Sequence, residues 1–225
     1  MKLKIYGDSV LKGVIYSEEL KKYRLFGYKY DSLAENGIEV ENNCKMGATI
    51  GKGSEIIKAT LDDCEKDTCV VMEYGGNDCN FDWAAVAADP DSAHLPATPR
   101  DEFCEKYIKA VEYAQKRGAE VAVCTLVPIE SKRFINWVSR GLSYENILKF
   151  MHGDVNVIGR WQEGYSKLAE RVAKATGCRL LDLRTPFSRP GEIESLICVD
   201  GIHPNARGHE MLSSVFQSRV LGLTT

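Results

Sequence analysis

Thr68-Cys69-Val70-Val71-Met72-Glu73-Tyr74-Gly75-Gly76-Asn77-Asp78 decides how the chain is read. A short apolar run rich in β-branched residues breaks off on two glycines and two small polar residues. Runs of the same kind recur at Leu3–Tyr6, Ile38–Asn43, Glu120–Leu126 and Arg179–Leu183. Between them the apolar residues fall at helical spacing, at about Ser54–Glu65, Asp101–Lys116 and Val157–Thr176, with a last stretch near Ala206–Val220. Gly118 and Gly177 stand just past two of these stretches, where a left-handed cap would close a helix. Strands in strict alternation with helices are the signature of parallel strands joined by crossovers. The expectation is a three-layer α/β/α sandwich around a five-stranded parallel sheet.

At 225 residues the chain is long for one compact core and short for two. We therefore expect a single domain over residues 1–225 with insertions near 80–100 and 132–153. Phe81–Arg100 holds three prolines among several alanines and reads as a loop with a short helix. Lys132–Gly153, with Phe134, Trp137, Tyr144 and Phe150 among its apolar residues, reads as helical but broken at Gly141. Either insertion could cover the functional edge, or its aromatics could simply complete the core.

Charged residues make up 27% of the sequence yet leave a formal net charge of only -3, and no basic stripe marks a nucleic-acid partner. No window approaches the ~18 to 20 consecutive apolar residues of a membrane-spanning helix, so no membrane partner is expected. Met1-Lys2-Leu3-Lys4-Ile5-Tyr6 runs straight into the first strand without an export-signal pattern, and the expected localisation is cytoplasmic. The eight cysteines contain no C-x-x-C pair and are expected as reduced thiols. Cys124 and Cys178, in or beside apolar runs, would act as small hydrophobes.

In an open parallel sheet the ligand crevice lies outside the carboxyl ends of the strands. The segments that follow the strands are Gly7-Asp8-Ser9, Cys44 to Thr49, Gly75-Gly76-Asn77-Asp78 and Val127-Pro128, so the most polar, glycine-rich pieces converge on one edge. Ser9 follows a small residue that lets the backbone turn and present a hydroxyl, although Asp8 or Ser9 could equally cap a helix. Near the other end, Asp200-Gly201-Ile202-His203-Pro204 sets a carboxylate three residues before an imidazole. Such a pair can take a serine proton and stabilise the imidazolium that forms. Asn77 could donate to an oxyanion, or belong to a plain turn.

Together, and in this order, these pieces resemble the SGNH hydrolases, the GDSL-type esterases and lipases. Gly7-Asp8-Ser9 matches the first block of that family and departs from G-D-S-L only at Val10. Gly75, Asn77 and Asp78 match the G-x-N-D block, and Asp200, His203 and Pro204 match D-x-x-H-P. Asn42-Asn43-Cys44-Lys45-Met46-Gly47-Ala48-Thr49 is similar to the second block, with Gly47 as its glycine and Gly51 as the fallback.

The resemblance implies a flavodoxin-like sheet and a serine esterase that needs neither metal nor organic cofactor. Ser9 would be the nucleophile, His203 its base and Asp200 the base's partner. An oxyanion hole would be built from the N–H groups of Ser9 and Gly47 and the side chain of Asn77. Asp8 and Asp78 would brace loops, and Trp83 is the first guess for an aromatic that contacts substrate. His94, His152 and His209 are expected on the surface or on helix faces.

The substrate implied is a small ester with a short acyl group, acetyl for instance, carried on a sugar or another small metabolite. Lysophospholipase and thioesterase activities belong to the same family. Two readings of a different class are a metal-dependent phosphoesterase using Asp8, Asp78, Asp200 and His203, and a non-catalytic binding module.

Overall fold

A computed structural model describes residues 1–65, 67–189 and 191–222. Its central sheet is formed by β1 (Lys2–Gly7), β4 (Glu39–Asn42), β5 (Thr68–Glu73), β6 (Glu120–Cys124) and β7 (Arg179–Leu181), in the spatial order β4-β1-β5-β6-β7. Every neighbouring pair is parallel. Counted in chain order within the sheet this is 2-1-3-4-5, the flavodoxin-like arrangement, with the sheet's reversal point beside its first strand. β5 lies at the middle of the sheet with all six residues buried, which is why its sequence runs apolar without alternation.

The sheet has a helical layer on each face. On one side α3 (Ile50–Thr60), α5 (Arg100–Lys116) and α8 (Asn156–Thr176) enclose a core that includes Val70, Met72, Phe103, Tyr107, Tyr165 and Val172. The other side holds the short α1 (Ser9–Lys12), α2 (Asp31–Glu35) and α9 (Glu192–Leu196), and the longer α10 (Ala206–Leu221). Leu3, Val71, Leu181, Leu212 and Phe216 fill that second core. α8 shows how the pattern works: Ile158, Gln162, Tyr165, Ala169, Val172 and Ala173 recur at helical spacing and are buried, and Gly177 ends the helix at φ +65°.

The two insertions form a third, smaller core at the carboxyl edge of the sheet. Phe81–Arg100 contributes the helix α4 (Trp83–Ala88), while the later insertion folds as α6 (Ser131–Val138) and α7 (Tyr144–Phe150), broken around Gly141 at φ +75°. Trp83, Val86, Phe134, Ile135, Ile147 and Ile158 pack together there, and Asn146 donates to the Ala87 carbonyl at 2.7 Å to tie one insertion to the other. The aromatics of the two segments pack with one another, and the core they build contributes Phe134 and Ile158 to the lining of a cavity at this edge.

Three expectations need correction. The helix after β4 runs from Ile50, not Ser54, and ends at Thr60, because Thr49 caps it through the Lys52 N–H and the Asp78 carboxylate accepts from the Ile50 N–H. The strands expected to reach Leu126 and Leu183 end at Cys124 and Leu181. Beyond that, a β-hairpin, β2 (Val14–Ser17) with β3 (Lys22–Leu25), was not expected and lies between β1 and β4. All eight cysteines are free thiols, with Cys124 fully buried and Cys178 half-buried. No helix among the described residues is long and apolar enough to cross a membrane.

Candidate active site

β1 ends at Gly7, where a side chain would meet the Glu73 carbonyl at 3.0 Å and Cys44 Sγ at 3.3 Å. Asp8 then caps α1, its Oδ1 accepting from the Val10 N–H at 2.8 Å, so that Ser9 becomes the first residue of the helix with its hydroxyl at the strand end. His203 Nε2 lies 2.9 Å from Ser9 Oγ, and His203 Nδ1 lies 2.6 Å from Asp200 Oδ2. A carboxylate can only accept, so Nδ1 carries the proton and Nε2 is left to accept from Ser9. Ser9 and His203 are each 5% exposed and Asp200 is 0% exposed.

Burial opposes the charge on Asp200, but the His203 ring and the backbone N–H groups of Ile202 and His203 outweigh it and hold the carboxyl below its usual range. The loop that carries this pair is fixed from three sides. Ile197 and Pro204 form an isolated bridge, the Cys198 N–H donates to the His203 carbonyl at 2.8 Å, and the Glu130 N–H donates to the Gly201 carbonyl at 2.8 Å. Gly201, at φ +75°, lies so close to the start of α6 that a Cβ would fall 2.2 Å from the Phe134 nitrogen.

The second and third blocks come up beside Ser9. Gly47 has φ +74°, in a loop tied to β1 by the Lys45 N–H and the Gly7 carbonyl at 3.0 Å. Neither the Ser9 nor the Gly47 N–H has an acceptor among the described residues. Asn77 Nδ2 donates to Asp8 Oδ2 at 2.9 Å and to the Ala48 carbonyl at 3.2 Å. The Asp78 carboxylate receives the Ile50 N–H on both oxygens, and burial pushes its pKa up to about 6. Gly51 lies in the first turn of α3, facing Lys106.

A cavity of about 140 Å³ opens beside Ser9. Asp8, Gly47, Asn77 and His203 border it, and its far wall is built by Leu126, Val127, Ile129, Phe134, Ile158 and Ile202. Trp83 does not line it. That ring, 8% exposed, packs edge-on against Phe134 at 5.7 Å and donates its Nε1 hydrogen to Asn80 at 2.8 Å, so it stands behind the wall. Its bulk packs into the insertion core, a role that by itself accounts for an aromatic at this position.

Sequence reasoning missed four contributors. Tyr23, on the unexpected hairpin, sets its ring edge-on to His203 at 5.1 Å, and no motif signals it. Burial and the neighbouring Asp200 carboxylate push its phenol upward. Phe134 and Ile158 become wall residues only through packing of the insertion core. Glu73 did leave a signal, as a carboxylate inside a buried apolar run. Of the other histidines, His94 bonds the Asp89 carbonyl and His152 is exposed, while His209 is fully buried, bonded to the Val14 carbonyl and the Tyr28 hydroxyl. Burial lowers its pKa to about 4, so it stays neutral. Asp8, Asp78, Asp200 and His203 do not converge as a ligand set, and no group of three or more such side chains does so among the described residues.

A model of the GDSL-like Lipase/Acylhydrolase family matches residues 5–211. Comparison with the curated proteins gives no match. Among solved structures, a lipase/acylhydrolase from Enterococcus faecalis superposes with a TM-score of 0.65 at 18% identity, covering 98% of this chain and 95% of that one. The acetyl xylan esterase AlAXEase gives 0.64 at 20%, covering 98% and 100%. A catalytic mutant of an acetylxylan esterase from Geobacillus stearothermophilus gives 0.61 at 19%, covering 96% and 91%. At these identities the superpositions speak for the fold.

Proposed function

The chain belongs to the GDSL-like lipase/acylhydrolase family of ester-hydrolysing enzymes, and from that premise we propose that it cleaves a small carboxylic ester by acyl transfer through Ser9. The observation that carries this reading is the unbroken relay from Ser9 Oγ through His203 to Asp200, at 2.9 and 2.6 Å, opening onto the cavity. Ser9 Oγ attacks the ester carbonyl as its proton moves to His203 Nε2. Collapse of the tetrahedral intermediate breaks the bond to the alcohol, which leaves with that proton. Water then attacks the acyl-enzyme, giving a proton to Nε2, and Ser9 reclaims it as the acid departs.

The oxyanion is received by the free N–H groups of Ser9 and Gly47. Asn77 joins them by exchanging its longer bond, to the Ala48 carbonyl, for one to the oxyanion, while the shorter bond to Asp8 holds the amide in place. The apolar wall suits the acyl group. Each methylene buried there contributes about 0.8 kcal/mol, roughly fourfold in kcat/KM, until the cavity is full. We assign a short acyl group carried on a sugar or another small alcohol, a reading to which the acetyl xylan esterases among the similar structures lend support.

The test is hydrolysis of p-nitrophenyl esters of increasing acyl length and of acetylated sugars, by the protein and by Ser9→Ala, with and without chelator. Activity on short chains that is lost in the variant and indifferent to chelator is the expected result, together with labelling of Ser9 by an organophosphonate. Rates that keep rising into long chains would place the enzyme with lysophospholipases or thioesterases. A Ser9→Ala variant that keeps its rate would overturn the mechanism.

A further inference from the structure

Beneath Ser9, at the end of β5, Glu73 borders the cavity yet is only 2% exposed, and its Oε2 has no hydrogen-bond partner. The mechanism above gives it no role. Its carboxyl borders the same cavity as the Asp8 carboxyl, which is itself 2% exposed. The close approach is built in, because Gly7 pairs with Glu73 in the sheet and Gly76 leaves only 3.0 Å between its would-be Cβ and Asp8 Oδ2.

Two carboxyl groups side by side out of water cannot both ionise. Asp8 is the one equipped to carry the charge, since it accepts from the Val10 N–H and the Asn77 amide and stands near His203. The ionisable groups near enough to feel a charge on Glu73 include the acids Asp8 and Asp78, the thiols of Cys44 and Cys124 and the phenols of Tyr28, Tyr74 and Tyr107. Burial, followed by the Asp8 charge, pushes its carboxyl well above the usual range.

We propose that Glu73 is a neutral acid that donates its proton to the Asp8 carboxylate, a positioning residue that acts through Asp8 to fix the Asn77 amide. The inference rests on the oxyanion role given to Asn77. With Glu73 neutral, Asp8 is a singly charged acceptor held on three sides, and the amide bonded to it is held where its other N–H can turn from the Ala48 carbonyl to the oxyanion. Without that proton, either Asp8 takes one up and loosens its hold on Asn77, or two negative charges sit beside a developing third.

The experiment compares Glu73→Gln, Glu73→Met, Asn77→Ala and Ser9→Ala with the unaltered protein on one p-nitrophenyl ester, together with an infrared difference spectrum of the unaltered protein minus Glu73→Gln at pH 8. Glutamine can donate to Asp8 as the neutral acid does, so Glu73→Gln should keep kcat within about threefold. Methionine cannot, and Glu73→Met should lose about ten- to a hundredfold in kcat with KM little changed, below the ~10² to 10³ lost when an oxyanion donor is removed outright. The difference spectrum should carry the C=O stretch of a protonated carboxylic acid. A Glu73→Met variant with full kcat, a Glu73→Gln variant as impaired as Glu73→Met, or a spectrum without that band would each overturn the proposal. Should Glu73→Met fail to fold, Glu73→Gln and the spectrum decide. Failure of the underlying reading would show separately, as activity in Ser9→Ala or as an undiminished kcat in Asn77→Ala.

Discussion

Replacing Gly201 by alanine adds one methyl group, yet it should disable the enzyme through the His203 loop. Gly201 has φ +75°, and an ideal Cβ there would meet the Phe134 nitrogen at 2.2 Å, the Glu130 carbonyl oxygen at 2.6 Å and the Phe134 Cα at 2.7 Å. All three are backbone atoms at the start of α6, so no rotamer change relieves the contact. Restoring an ordinary 3.4 Å separation requires the loop and the helix to part by about 1.2 Å. The left-handed backbone adds about 1 to 2 kcal/mol for a residue with a Cβ, and overpacking about 1 to 3 kcal/mol more.

The variant should therefore lose about 2 to 5 kcal/mol of stability, a fall in Tm of roughly 4 to 20 °C for a domain of this size. His203 Nε2 is 2.9 Å from Ser9 Oγ, so a shift of about 1 Å breaks the proton relay and should cost about 10² in kcat. The assay is ester hydrolysis well below the variant's Tm, with folding checked by circular dichroism. Gly177→Ala is the control. It has a similar φ of +65° but open space around the would-be Cβ, so it should lose only about 1 to 2 kcal/mol and keep its kcat. If Gly201→Ala turns over at the unaltered rate, the loop tolerates displacement and the geometric reasoning is wrong.

Other substitutions probe other links. Asp200→Asn should lower kcat by about 10⁴ with KM little changed, because the amide can donate to Nδ1 and leave the proton on Nε2; a loss under tenfold would deny Asp200 its role. Burial raises the Asp78 pKa from 3.8 to about 6, so between those values the folded chain keeps a proton that the unfolded chain has lost. Stability assigned to Asp78 accordingly falls as pH rises through that window, by about 3 kcal/mol in all. Urea unfolding of Asp78→Asn should show a shallower decline between pH 4 and pH 7, and an unchanged slope would refute the assignment. Trp83→Phe removes the bond to Asn80 and part of the packing behind Phe134, so it should lower stability by about 1 to 3 kcal/mol while leaving the acyl-length profile as it was. A changed profile would return Trp83 to the substrate.

The fold was legible because its signals are local. β5 must be apolar throughout to lie at the centre of the sheet, helices such as α8 must repeat their apolar residues at helical spacing, and Gly177 must close α8 in a left-handed turn; each leaves its mark within a few residues. Ser9, Gly47, Asn77, Asp200 and His203 could be picked out for a related reason, since they sit in strand-end loops whose short motifs are read without knowing what faces them. Element ends were less legible. The start of α3 depends on Asp78 reaching across from another loop to the Ile50 N–H.

What only the tertiary structure decided is the set of neighbours brought in from far along the chain. Tyr23 reaches His203 from a hairpin that no motif marks, Phe134 turns a wall toward the cavity while Trp83 turns away, and Glu73 finds Asp8 because β1 and β5 pair in a register that sets Gly7 beside it. The sequence by itself determined which groups are proposed for the chemistry and on which sheet edge they lie. The shape of the cavity and the charge of the carboxyls beneath it depend on packing and desolvation, which exist only once segments distant in sequence have met.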